Sequence, residues 1–197
     1  MNHIFSAIHA VGQASSERHQ ANPELRSTVK FGTSMLNPAV RQMTVNSVII
    51  HGSMDPNGRY VHWRLYLQLD SYSGTQSVEL NSQKVSYDGL TALFIEHRLY
   101  MFSTRQLSVG HIPIRFSQRV TVQDIINLAL TNKRDQYRLN TGGSGCRYWC
   151  QTFISDLVHA RYIPRDSNDI VEQFILALHR QHGNHLIPYP LYHGTFY

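Results

Sequence analysis

The chain has 197 residues, 42% of them hydrophobic and 16% charged, with a formal net charge of +5 and two cysteines. That length supports a domain with a real core, and no stretch of about 18 consecutive apolar residues exists to cross a membrane as a helix. The two cysteines, Cys146 and Cys150, are too few and too close for a disulfide framework, and the opening M-N-H-I-F-S-A-I-H-A-V lacks the basic and apolar regions of a signal peptide. The sequence therefore predicts an intracellular, reducing, cytoplasmic setting. Its basic residues are scattered, and the densest group, Lys133, Arg134 and Arg138, is interrupted by Asp135. A solvated surface is expected rather than nucleic-acid binding.

Residues 1–40 read as an arm, with a short helix over Met1–Gln13 and loop from Ala14 to Pro38. A single α+β domain is expected over 41–185. Val45–His51 and Tyr60–Leu69 are β-rich runs separated by the turn D-P-N-G, Asp55–Gly58, which predicts a hairpin. Ser77–Asn81, Leu93–Phe102 and His111–Phe116 are further strands, with Pro113 placing the last at a sheet edge. Thr121–Leu130 switches to helical spacing, with Thr121 as cap and Asp124 completing a capping box. A short strand at Tyr137–Leu139 precedes the glycine loop, a helix runs from Cys146 to about Ala160, and a last helix spans Ser167–His182, capped by Ser167 or Asn168. Residues 186–197 read as an extended surface tail. Strands come first and helices later, without βαβ alternation, which predicts an antiparallel sheet with helices packed on one face.

The run T-G-G-S-G-C-R-Y-W-C, Thr141–Cys150, carries the chemistry. It feeds a glycine loop into a helix with Cys146 at the junction, where unpaired N–H groups and the helix dipole favour a thiolate. Gly143, Ser144 and Gly145 leave room for a substrate and for an oxyanion at those N–H groups. The apolar stripe Cys146, Trp149, Cys150, Phe153, Ile154 and Leu157 packs inward, while Arg147, Gln151, Asp156 and His159 lie largely elsewhere. Cys150, a turn deeper, reads as core. Cys146 on its own reads equally as nucleophile or as a small packed hydrophobe.

A nucleophilic Cys needs a base, and His62 in Y-V-H-W-R-L-Y-L is the informative candidate among twelve histidines. Strand alternation puts His62, Arg64, Tyr66 and Gln68 on one face and Trp63, Leu65, Leu67 and Leu69 on the other. The next strand offers Glu79 or Asn81 to orient the imidazole, with Glu79 preferred. Arg64, Tyr66, Tyr148 and Trp149 are candidate substrate contacts. His179, His182 and His185 drift around a helix end with no further donor, so no metal site is expected. No P-loop, dinucleotide fingerprint or paired-carboxylate motif occurs, and no cofactor is expected.

H-W-R-L-Y-L followed by G-C-R-Y-W at a helix start resembles the circularly permuted papain-like thiol superfamily, which includes proteins similar to lecithin:retinol acyltransferase and related peptidases. That pattern has a strand His in H-x-x-hydrophobic-Y-L, a polar residue on the following strand, and a distal N-C-x-H-F at a helix start. The resemblance implies Cys146 as nucleophile, His62 as base and Glu79 or Asn81 as orienting group. This chain departs from it with Gly145 for the Asn, Tyr148 for the His and Trp149 for the Phe. G-C-R-Y-W is also similar to a family of fungal proteins that brings no activity with it. The expected function is a thiol-dependent hydrolase or acyl or peptidyl transferase acting on an amide or (thio)ester. The alternative is a non-catalytic module binding a peptide or small metabolite.

Overall fold

A computed structural model describes residues 29–31, 36–71, 74–103 and 107–197. The helix expected over Met1–Gln13 lies outside these residues. Strands β1 (Val29–Phe31), β2 (Val45–Met54), β3 (Val61–Leu69), β4 (Ser77–Lys84), β5 (Thr91–Arg98) and β6 (Ser108–Arg115) form one sheet in the order β1-β5-β4-β3-β2-β6. Helices α1 (Pro38–Arg41), α2 (Val122–Thr131), α3 (Cys146–His159) and α4 (Ser167–His182) complete an α+β fold. A two-stranded ribbon joins β7 (Tyr137–Arg138) to β8 (Thr195–Phe196). No described helix is long and apolar enough to cross a membrane.

The hairpin joins β2 to β3, paired from Val45↔Leu69 to Met54↔Val61 with a register shift between Val45 and Ser47. Its turn closes around the buried Asp55 carboxylate, which accepts the backbone N–H groups of Asn57, Arg59 and Tyr60. Pro113 does fall on an edge strand, β6, where its missing N–H breaks no ladder. Thr121 and Asp124 form the reciprocal capping box that their spacing predicts, with bonds of 3.2 and 2.9 Å.

Three local readings need correction. Within the stretch read as loop, Val29–Phe31 pairs in parallel with Leu93–Ile95 of β5; three residues are too few to show alternation. Neither Ser167 nor Asn168 caps α4: Asp166 holds that position without a side-chain bond, and the Ser167 hydroxyl donates to the Pro164 carbonyl at 2.6 Å. The tail lies mostly at the surface but is anchored by buried Ile187 and by β8 against β7.

The core fills the space between one sheet face and the helices. Trp63, Leu65 and Leu67 of β3 and Val78 and Leu80 of β4 meet Trp149, Phe153, Ile154 and Leu157 of α3. Cys150 is fully buried in this layer. The opposite sheet face is polar, with Glu79 paired to Arg64 at 3.2 Å and to Arg98 at 2.7 Å.

Candidate functional site

The sheet opens where β3 and β4 part. Their register runs from Gln68↔Ser77 to Leu65↔Leu80, while β4 continues beside β5 to Lys84↔Thr91. Past Leu65 the edge of β3 facing β4 is therefore free of that partner, and the N-terminus of α3 fills the space. The Trp63 backbone N–H donates to the Cys146 sulfur, which sets the thiol against the strand residue next to His62. His62 and Cys146 line one cavity of about 670 Å³ together with Arg64, Gly143, Ser144 and Gly145.

Asn81 stands behind the imidazole, its Oδ1 at 2.8 Å from His62 Nε2. An amide oxygen accepts from that nitrogen only when Nε2 carries the hydrogen, which leaves Nδ1 with its lone pair free to take a proton. Asn81 itself is buried, so the ring is held from the protein side. Glu79, the preferred orienting residue, is instead bound to Arg64 and Arg98. Register explains the outcome: Tyr66 lies opposite Glu79, so Asn81 lies nearer the start of β3, where His62 sits.

Gly145, the residue before the thiol, is fixed by its backbone and its surroundings. Its φ is +131°, and a Cβ there would come within 2.6 Å of the Tyr137 hydroxyl. That hydroxyl donates to the Gly145 carbonyl at 2.9 Å and accepts the Gly194 N–H at 3.0 Å. The residue before the cysteine has no room for a side chain. With glycine as N-cap, α3 has no side-chain cap on its first turn, and the dipole end there remains available to an anionic oxygen.

The electrostatics differ from the expectation of an easily ionised thiol. Burial pushes the Cys146 thiol up, outweighing the N–H donors of Trp63 and Arg147 and the positive charges of Arg147 and Arg64. His62 is lowered to about 4, first by burial and then by Arg64, against the opposing bond to Asn81. At rest the cavity thus presents a neutral thiol and a neutral imidazole. Burial wins because the sulfur is enclosed between a strand and a helix start, even though Cys146 as a residue keeps partial exposure.

Three expected substrate contacts do not line the cavity. Trp149 is 1% exposed in the core, with its indole N–H on the Arg134 carbonyl at 2.6 Å. Tyr66 is fully buried against the His51 ring. Tyr148 stacks on His193 with ring centroids 4.3 Å apart and faces a separate groove between α3 and α4. Arg147, expected to lie away from the packed face, is buried and lines the cavity beside Cys146. Asp156 is also buried, clasped by Arg134. No sequence signal distinguishes Arg147, because helix periodicity does not locate the tail that covers it. The cavity wall further includes Arg59 from the hairpin turn, Lys84 from the end of β4, and Pro188, Leu191 and Tyr192 from the tail.

Fold and cavity together define an α+β protein whose sheet opens on a cavity lined by Cys146 and His62, with Asn81 bonded to the imidazole. A family model described as a domain of unknown function, DUF7770, matches residues 44–197, and the chain belongs to that family. No curated protein and no solved structure matches the chain.

Proposed function

We propose that this protein is a thiol-dependent hydrolase or acyl transferase of the permuted papain-like kind, with Cys146 as nucleophile, His62 as base and Asn81 as the orienting group. The observation that carries the reading is the 2.8 Å bond between Asn81 and His62 on the wall of the cavity that Cys146 enters. Cys–His–Asn is a known arrangement for acyl transfer, recognised by geometry rather than by sequence order.

The neutral resting pair suits general-base catalysis. The Cys146 proton passes to His62 Nδ1 as the sulfur attacks the carbonyl carbon of an amide or (thio)ester. The negative charge on the carbonyl oxygen is met by N–H groups at the α3 start. His62 returns the proton to the leaving nitrogen, oxygen or sulfur, and an acyl-thioester remains. Water or another nucleophile then gives its proton to His62, attacks the thioester and restores the thiol. Glu79 acts at a distance by holding Arg64, whose charge lowers the pKa values of both His62 and Cys146.

Acylation with p-nitrophenyl acetate tests this directly. The expected result is one equivalent of p-nitrophenolate released rapidly per protein, absent in Cys146→Ala and slowed about 10²–10⁴-fold in His62→Ala. A burst unchanged in Cys146→Ala removes the proposal. The upward push on the thiol favours a second reading, a binding module for a peptide or small metabolite. That reading requires no burst and ligand binding that Cys146→Ala retains.

A further inference from the structure

Arg147 is 6% exposed and lines the cavity immediately after the thiol. Its Nη2 donates to the Pro188 carbonyl, while neither Nε nor Nη1 has an acceptor. Among the described residues no carboxylate lies within ion-pair distance of it. Glu172 is the acid whose charge it feels, but the oxygens of Glu172 accept from Gln151 at 3.2 Å and from the Tyr189 hydroxyl at 2.9 Å. A buried cation with no carboxylate in contact and with idle donors is costly. Holding one backbone carbonyl needs no guanidinium, so anchoring the tail does not account for the residue.

The remaining cavity charges are already answered. Arg59 pairs with Asp55 at 3.6 Å and Arg64 with Glu79 at 3.2 Å, and Lys84 stands exposed at the rim. One enclosed positive charge is left over, next to the uncapped start of α3. We propose that the cavity is an anion site centred on Arg147, and that the acyl substrate of Cys146 carries a carboxylate which Arg147 binds. The anion site stands on Arg147 and the cavity; its assignment to substrate rests on the thiol chemistry proposed above. A carboxylate fits better than a phosphate because one negative charge neutralises the guanidinium, whereas a dianion leaves excess charge in an enclosed site.

Iodoacetate and iodoacetamide test this as an anionic and a neutral version of one probe. In each case the thiolate displaces iodide, and peptide mass spectrometry separates modification at Cys146 from that at Cys150. At Cys146 the iodoacetate-to-iodoacetamide rate ratio is expected to exceed that of free cysteine by about tenfold, the scale of one charge-assisted hydrogen bond. Acetate should compete and acetamide should not. Arg147→Met should return the ratio to that of free cysteine, and Arg147→Lys should retain part of the gain. A wild-type ratio equal to that of free cysteine overturns the proposal. Inorganic phosphate competing better than acetate overturns the carboxylate assignment. Should Arg147→Met fail to fold, the acetate, acetamide and phosphate competitions on the wild type decide. A persistent iodoacetate preference in a protein whose p-nitrophenyl acetate burst is absent would leave the anion site and remove its catalytic assignment.

Discussion

At the residue scale, two polar side chains on β4 take different partners. Asn81 meets the imidazole of His62, and Glu79 holds the guanidinium groups of Arg64 and Arg98. Asn81→Ala leaves the His62 Nε2 hydrogen without its acceptor, at about 1–3 kcal/mol. Acylation of Cys146 should slow at least tenfold as the ring loses its tautomer and orientation, with circular dichroism unchanged. Glu79→Gln should do the reverse. It leaves two cations underpaired and costs about 3 kcal/mol in denaturant unfolding, while the burst rate of the folded fraction falls much less. Equal effects of both variants on acylation would remove the distinction. The pKa directions add a pH expectation. His62 accepts a proton only above its own pKa, so acylation should persist down to about 4 and be lost below it as His62 protonates. On the alkaline side, iodoacetamide labelling of Cys146 should have its midpoint above that of a free thiol, because burial raises that group.

At the element scale, the junction between the glycine loop and α3 is the most constrained point. Gly145 has φ +131° and lies where a Cβ would approach the Tyr137 hydroxyl to 2.6 Å. Gly145→Ala should therefore cost about 1–3 kcal/mol from backbone strain, with added steric cost from the hydroxyl. Tyr137→Phe removes that oxygen, so the double variant should be less destabilised than the sum of the singles, a coupling readable in a urea double-mutant cycle. Strict additivity would mean that backbone conformation and the nearby Gly194 backbone, not the hydroxyl, exclude a side chain there. The same hydroxyl takes the Gly194 N–H, so this one contact ties β7, the α3 start and the C-terminal segment together.

At the scale of the whole molecule, buried histidines set the acid limit of the fold. His51 is lowered to about 4 by burial and by the neighbouring His111 and Arg64, and His62 to about 4 by burial and Arg64. A histidine with a depressed native pKa stays neutral when folded but binds a proton when unfolded. Its stabilising effect is complete above the unfolded pKa, about 6.5, and is lost as pH falls toward 4. Each contributes a slope of at most about 1.4 kcal/mol per pH unit in that window. Unfolding midpoints should therefore fall between pH 6.5 and 4, and His62→Gln should flatten the profile by about one proton's worth. A profile identical in His62→Gln would show that His62 titrates normally.

Patterning along the chain was enough for the β2–β3 hairpin, the capping box at Thr121 and the α3 stripe, because each is set by local alternation, turn or capping residues close along the chain. A cysteine at a helix start and a histidine on a strand were legible for the same reason. The choice of Asn81 over Glu79 was not, because it follows from pairing register across two strands. Nor was Arg147: it is buried only because the tail returns across the start of α3 and lends it the Pro188 carbonyl. The rise in the thiol's pKa belongs with these. Local sequence places a helix dipole at Cys146, but only tertiary packing decides how little water reaches the sulfur, and desolvation outweighs the dipole.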